Sequence, residues 1–157
     1  MRVEDTDQTR FVPGAEDYIR ESLAWCGISP DEGDIEGGEF GPYKQSDRSE
    51  LYAREIEKLL ESGHAYKAYD TPESMAEKRS EAEAAGTVWQ YDATTRMSMR
   101  NSLSLSAEEV AELEAAGTPF TVRFNMPDSA RELLVRDEIR GEIRVSTSVL
   151  DDKVLMK

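Results

Sequence analysis

Cysteine, histidine and large apolar residues are all scarce in this 157-residue sequence. A single cysteine, Cys26, excludes an internal disulfide framework and fits a reducing compartment. A single histidine, His64, leaves little room for histidine-based metal sites or triads. Leu, Ile, Val and Phe together supply only 30 residues, which at a formal net charge of −14 borders on the composition of disordered chains. Six Tyr, two Trp, six Met and clear helical periodicity oppose that reading, so a folded chain with a thin core is expected. No apolar run approaches the roughly 20 residues of a membrane helix. The opening MRVEDTDQTR also lacks the basic-then-apolar layout of a secretory signal.

Basic residues are the other shortage. A net-negative surface repels polyanions, which speaks first against nucleic acid. The distribution softens this: residues 1–40 carry 3 basic and 11 acidic groups, whereas 119–157 carry 7 of each. The last quarter is neutral and rich in arginine.

Local signals order the chain. Met1–Glu4 reads as the tail of a strand running into the polar cluster Asp5-Thr6-Asp7. Pro13 predicts a helix start, with Ala15, Tyr18, Ile19, Leu23 and Cys26 at helical spacing and Gly27 as the stop. Residues 28–45, glycine-rich with two prolines, predict a long loop. Ser46 or Asp47 caps a second helix that ends at Gly63, with Tyr52, Leu59 and Leu60 inward. A strand over 65–69 follows, then a helix capped by Thr71-Pro72 and stopped by Gly86. Residues 87–105 have no clean period. Ser106-Ala107-Glu108-Glu109 is a capping box for a helix ending at Gly117. Strands are expected over 120–125, 133–136, 139–145 and 154–156, giving an α/β to α+β pattern of helices first and antiparallel strands later.

The residues alone leave several roles open. Three carboxylates in Glu4-Asp5-Thr6-Asp7 suit either an amine- or metal-binding rim at a strand end or a solvated acidic turn. Period two puts Arg140, Glu142 and Arg144 on one strand face, with Arg123 and Arg136 on neighbouring strands. That face suits phosphate oxygens or exposed cross-strand Arg–Glu pairs. His64 follows a helix end, where a cation suits the dipole. Trp25 is expected to pack at a helix edge, and Trp89 either packs or stacks on a base.

RVEDTDQTRFVPGAEDYIRESLAWCGISPDEG, GPYKQSDRSELY, HAYKAYDTPESM, PFTVRFNMP, VRDEIRGEIRV and LDDKVLMK succeed one another over essentially the whole chain. In order and approximate spacing these segments resemble class I glutamyl-tRNA synthetases. The resemblance implies an internal fragment of a Rossmann-type catalytic domain plus an inserted domain of helices and antiparallel strands. The implied division is 1–64 for the tail of the first Rossmann half, 65–150 for the inserted domain that receives the tRNA acceptor end, and 151–157 for the return. The family's His-x-Gly-His-like and Lys-Met-Ser-Lys-like ATP motifs are expected outside this segment.

By the same resemblance Glu4 contacts the α-amino group of glutamate, a charge-assisted bond. Thr6, Asp7 and Arg10 lie near the 3′-terminal adenosine, and Arg123, Arg140 and Arg144 approach the tRNA. No residue of the chain is assigned a catalytic role. Zinc, bound by some bacterial relatives, is not expected: the matching positions are Ala68, Asp70, Tyr91 and Thr95, with no thiolate. The implied function is glutamate–tRNA ligation in the cytoplasm, using ATP and Mg in the full-length enzyme and with no membrane partner. The fragment alone is expected to hold neither cofactor and to be inactive. An unpaired N-terminal strand suggests self-association. Two rivals remain: a stand-alone RNA-end-binding or interaction module, and the paralogue that glutamylates a tRNA nucleoside.

Overall fold

A computed structural model describes residues 1–7 and 11–157. Contacts divide the chain into two compact units, Met1–Glu55 and Ile56–Lys157.

In the first unit, Val3 makes a parallel bridge to Lys44. Its N–H donates to the Tyr43 carbonyl and its carbonyl accepts from Gln45, both at 2.9 Å. Val3, in the segment expected to lie unpaired, is therefore bridged within the chain. Helix α1 spans Ala15–Trp25 and begins after Gly14 at φ 79°, two residues beyond the Pro13 start read from the sequence. Its apolar residues stay largely open, and Trp25, expected to pack, is 89% exposed. The loop that follows is tied by the Gly33–Gly37 bridge. Gly38 has φ 135°, and a Cβ there would collide with the Tyr43 hydroxyl and the Glu32 side chain. Those two side chains hydrogen-bond at 2.5 Å, so glycine is what lets the loop close on them.

A 3₁₀ turn, Ser46–Arg48, leads into α2, Ser49–Glu61. In the second unit β1 (Ala65–Ala68), β2 (Thr121–Phe124) and β5 (Val154–Met156) form an antiparallel sheet in the order β1-β2-β5. Helices α3 (Pro72–Ala84) and α4 (Ala107–Ala115) are capped by Thr71 and by the reciprocal Ser106–Glu109 box, as their sequences require. Strands β3 (Glu132–Asp137) and β4 (Gly141–Ser146) form a separate hairpin. Its register puts Leu133, Val135, Ile143 and Val145 on one face.

Two apolar clusters fill this unit. Ile56, Ala65 and Val122 pack with Leu59, Leu60 and Met156, while Tyr66, Ala68, Tyr91 and Met99 pack with Met75 and Trp89. The second cluster draws half its members from the stretch without sequence period. What orders that stretch is polar: Asn101, wholly buried, donates from Nδ2 to the Tyr91 hydroxyl at 3.0 Å and the Arg96 carbonyl at 2.6 Å. Its Oδ1 accepts from the Leu103 and Ser104 amides at 2.9 and 3.2 Å. Asn101→Ala leaves these groups unmet and is expected to lower the unfolding free energy by about 2–3 kcal/mol. Ser106→Ala, which removes one exposed cap, is expected to cost about 1 kcal/mol. Urea denaturation of both variants measures the difference, and equal losses would contradict the central role of Asn101.

Candidate functional site

The acidic cluster near the N-terminus is not one set of equivalent carboxylates. Asp5 accepts from the Ser46 amide at 2.9 Å and from its hydroxyl at 2.6 Å, capping the 3₁₀ turn that opens α2. The Thr6 hydroxyl bonds Gln45 Oε1 at 3.1 Å. Glu4 is exposed and meets Arg2 at 3.1 Å. Glu4 and Asp7 border a cavity of about 440 Å³ whose other walls include Val3, Phe11, Val12 and Ile19. Carboxylates at the rim of an apolar hollow suit a small molecule carrying an ammonium group. Arg10, expected beside the adenosine, lies outside the described residues.

The arginines expected on one open face separate. Arg140 is not on the strand: it sits in the β3–β4 turn, where its amide donates to Asp137 Oδ1 at 2.7 Å. A three-residue turn occupies 138–140, which removes it from the alternation with Glu142 and Arg144. Arg144 is exposed and pairs with Glu132 at 2.8 Å. Arg123 does not project to solvent. It is 8% exposed, its guanidinium lies 4.0 Å from the centre of the Tyr91 ring, and Nη1 donates to the Asp152 carbonyl at 2.9 Å. Arg123 was expected to project from its strand toward an RNA, but the Asp152 carbonyl and the Tyr91 ring occupy its surroundings.

Buried ionisable groups gather beside Arg123. Asp152, wholly buried, accepts from the Tyr66 hydroxyl at 2.6 Å and the Met126 amide at 3.1 Å, and pairs with Arg96 at 3.3 Å. Burial pushes its carboxyl above the ordinary 3.8, against the pull of those partners. Burial also raises the Tyr66 and Tyr91 phenols, the former helped by its bond to Asp152. Sequence reasoning missed this set, because Arg96 lies in the stretch without a clean period and Asp152 falls between two expected strands.

At the positions that the resemblance sets against a zinc site, the Tyr91 hydroxyl donates to Asp70 at 2.9 Å, and the Thr95 hydroxyl donates to the Gln90 carbonyl at 2.6 Å. This donor set, without thiolate or imidazole, does not fit zinc. Among the described residues no group of three or more His, Cys, Asp and Glu is arranged for a metal. His64 does have a hydroxyl beside it, with Ser62 Oγ 2.8 Å from Nδ1. That hydroxyl is exposed and also bonds the Leu59 carbonyl at 3.2 Å, the local geometry of a helix end.

The chain belongs to the family of class I tRNA synthetases (E and Q), catalytic domain, which matches residues 1–157. Among curated relatives, the glutamate–tRNA ligases of Parabacteroides distasonis and Bacteroides fragilis are each 52% identical over 157 residues, all of this chain and 30% of their own length. The crystal structure of a glutamate tRNA ligase from Elizabethkingia meningosepticum in complex with its amino acid superposes with a TM-score of 0.92 at 48% identity. It matches 98% of this chain, which covers 30% of that one. The chain thus spans about a third of the length of these relatives. The mixed helix and antiparallel-strand fold is that of this family. No helix among the described residues is long and apolar enough to cross a membrane.

The Asp5 cap gives a measurable pH dependence. The Ser46 hydroxyl and then its amide hold the Asp5 carboxyl below 3.8. A group lowered on folding contributes stability that is present above its unfolded value and lost as pH falls through the folded one. The Ser46 amide resonance is therefore expected to titrate with a midpoint below 3.8, and that titration is expected to vanish in Asp5→Asn. A midpoint at or above 3.8 would contradict the cap.

Proposed function

We propose that this chain is part of a glutamate–tRNA ligase, which joins glutamate to its tRNA at the expense of ATP. The observation that carries the reading is the match along the entire chain, at 52% identity, to proteins of that name. Nothing in the fold favours a stand-alone RNA-binding module or the nucleoside-modifying paralogue. A cytoplasmic location accords with a tRNA substrate and with the lone cysteine.

In this reading residues 1–64 belong to the first half of the Rossmann-type catalytic domain, 65–150 form the inserted domain that receives the acceptor end, and 151–157 begin the return. Glu4 takes the glutamate ammonium at the rim of the 440 Å³ cavity, a role supported by its exposed carboxylate and the apolar wall beside it. Thr6, Asp7 and Arg10 neighbour the terminal nucleotide, and the exposed Arg140 and Arg144 approach the acceptor stem. In this reading the complete ligase activates the amino acid with ATP and Mg. No residue of this chain is assigned to either, and zinc has no ligand set here. The chain's own contribution is positioning: holding one end of the amino acid and one end of the RNA lowers the entropic part of the barrier.

The test is Glu4→Gln in the complete ligase, read as glutamate-dependent pyrophosphate exchange. Loss of a charge-assisted bond is expected to raise the KM for glutamate about tenfold or more while leaving the KM for ATP unchanged. The 157-residue chain alone is expected to give no exchange above background. An unchanged KM for glutamate would remove Glu4 from the site, and exchange by the isolated chain would overturn the division of labour.

A further inference from the structure

An exposed carboxylate grips a ligand well only if the backbone beneath it is held by its neighbours. Glu4 stands at the rim of the 440 Å³ hollow, and Val3 beside it forms a single bridge to Lys44 rather than a strand ladder. The hydrogen bonds that flank Glu4 lead to one short segment, 43–46. Before it, the Val3 amide and carbonyl engage Tyr43 and Gln45. After it, Asp5 Oδ1 accepts from the Ser46 amide at 2.9 Å and Oδ2 from the Ser46 hydroxyl at 2.6 Å. The Thr6 hydroxyl adds a third tie, to Gln45 at 3.1 Å.

That segment is itself fastened. The Tyr43 hydroxyl bonds Glu32 and accepts from the Phe40 amide at 3.1 Å, and Lys44 pairs with Glu16 of α1 at 2.8 Å. Glu4 is thus one residue slung between two anchors on a braced support. The anchors differ in kind. Val3 is held through backbone groups that any residue but proline would supply, whereas the Asp5 anchor depends on two particular side chains. Both Asp5 oxygens engage Ser46, and those bonds keep the carboxyl below 3.8, hence ionised across the neutral range.

We infer that Asp5 and Ser46 are positioning residues for glutamate: their paired bonds set the Glu4 carboxylate at the bearing the ammonium requires, and neither touches the amino acid. The inference rests on the proposed ligase reading, in which Glu4 takes that ammonium, and extends it to two residues that act through the backbone. A charge-assisted bond depends on direction as well as distance, so a small swing of residue 4 weakens it. The ammonium takes no part in acyl transfer. Its loss of grip therefore falls equally on ground and transition states, and is read in KM rather than kcat.

The test is aminoacylation by the complete ligase with glutamate varied. Ser46→Ala, which leaves the amide bond to Asp5, is expected to raise the KM for glutamate about threefold. Asp5→Ala, which removes both bonds to Ser46, is expected to raise it about tenfold. The KM for ATP and kcat are expected to hold in both. Ser46→Thr, which returns a hydroxyl, is expected to restore the KM. The double variant is expected to rise no further than Asp5→Ala alone, because the two residues act as one unit. Ser49→Ala serves as control: its hydroxyl bonds the Ser46 carbonyl at 3.1 Å in the same turn, and the KM is expected to stay put. A purely structural role gives the opposite split, since a partly unfolded enzyme loses active molecules and its apparent kcat falls while its KM holds. That split overturns the inference, as does a KM for glutamate unmoved by Asp5→Ala and Ser46→Ala. Where Glu4→Gln raises the KM and these two do not, the positioning role falls and the ligase reading stands. Where Glu4→Gln has no effect either, the role of Glu4 falls and the positioning role with it.

Discussion

A buried carboxylate holds the second unit together. Asp152 has no solvent exposure, yet it joins the Tyr66 hydroxyl of β1, the Met126 amide and the Arg96 guanidinium. Its backbone reaches further: the amide donates to the Tyr91 carbonyl at 2.7 Å and the carbonyl receives Arg123 of β2. An isolated carboxylate in such a place would be expelled or neutralised. Paired and fully hydrogen-bonded it is tolerated, and removing one partner of such a group typically costs about 3–5 kcal/mol. With few large apolar side chains available, the chain uses directional bonds to fix segments that hydrophobic burial alone would leave loosely placed.

The consequences extend to side chains that seem unrelated. Arg96 reaches Asp152 and also the Met126 carbonyl and Asp128, both at 2.6 Å, so it anchors the segment leaving β2. Asn101 fastens the other end of the same irregular stretch to Tyr91, whose hydroxyl bonds Asp70. Tyr91 thus stands between two polar networks and offers its ring to Arg123. A cation clamped by a carbonyl and a ring face has little freedom left.

Local chemistry was legible in the sequence wherever one residue type dictates one geometry. Gly27, Gly63, Gly86 and Gly117 were read as helix stops, and all four have φ near +70°. In each case the next residue's amide bonds back across the helix end, as in His64 to Leu59 and Thr87 to Ala82. The Ser106 capping box and the Thr71-Pro72 start were equally plain. Alternation worked for β4 but failed at Arg140, because a turn residue carries no strand parity. It also could not tell whether the side Arg123 faces is open, since the filling atoms come from Asp152, 29 positions away. The polar network was illegible for the same reason: long-range hydrogen bonds leave no period. The role of Asp5 lay in between, for its partner Ser46 was recognised as a helix start while the carboxylate 41 positions earlier was not seen to cap it.

The acidity of the chain and an RNA partner are compatible on electrostatic grounds. Residues 1–55 carry 6 basic and 14 acidic groups, so more than half of the excess charge belongs to the first unit. At physiological ionic strength a charge is felt over about 8 Å, which makes the potential at a phosphate a local quantity. Three cations, Arg79, Arg123 and Lys153, and one carboxylate, Asp151, line the cavity that Arg123 borders, while the buried Asp152 carboxylate is paired with Arg96. Around Glu4 the balance reverses, with Asp5, Asp7 and Glu16 bordering the same hollow, which favours an ammonium and disfavours a phosphate. A single net-charge figure averages two environments of opposite preference.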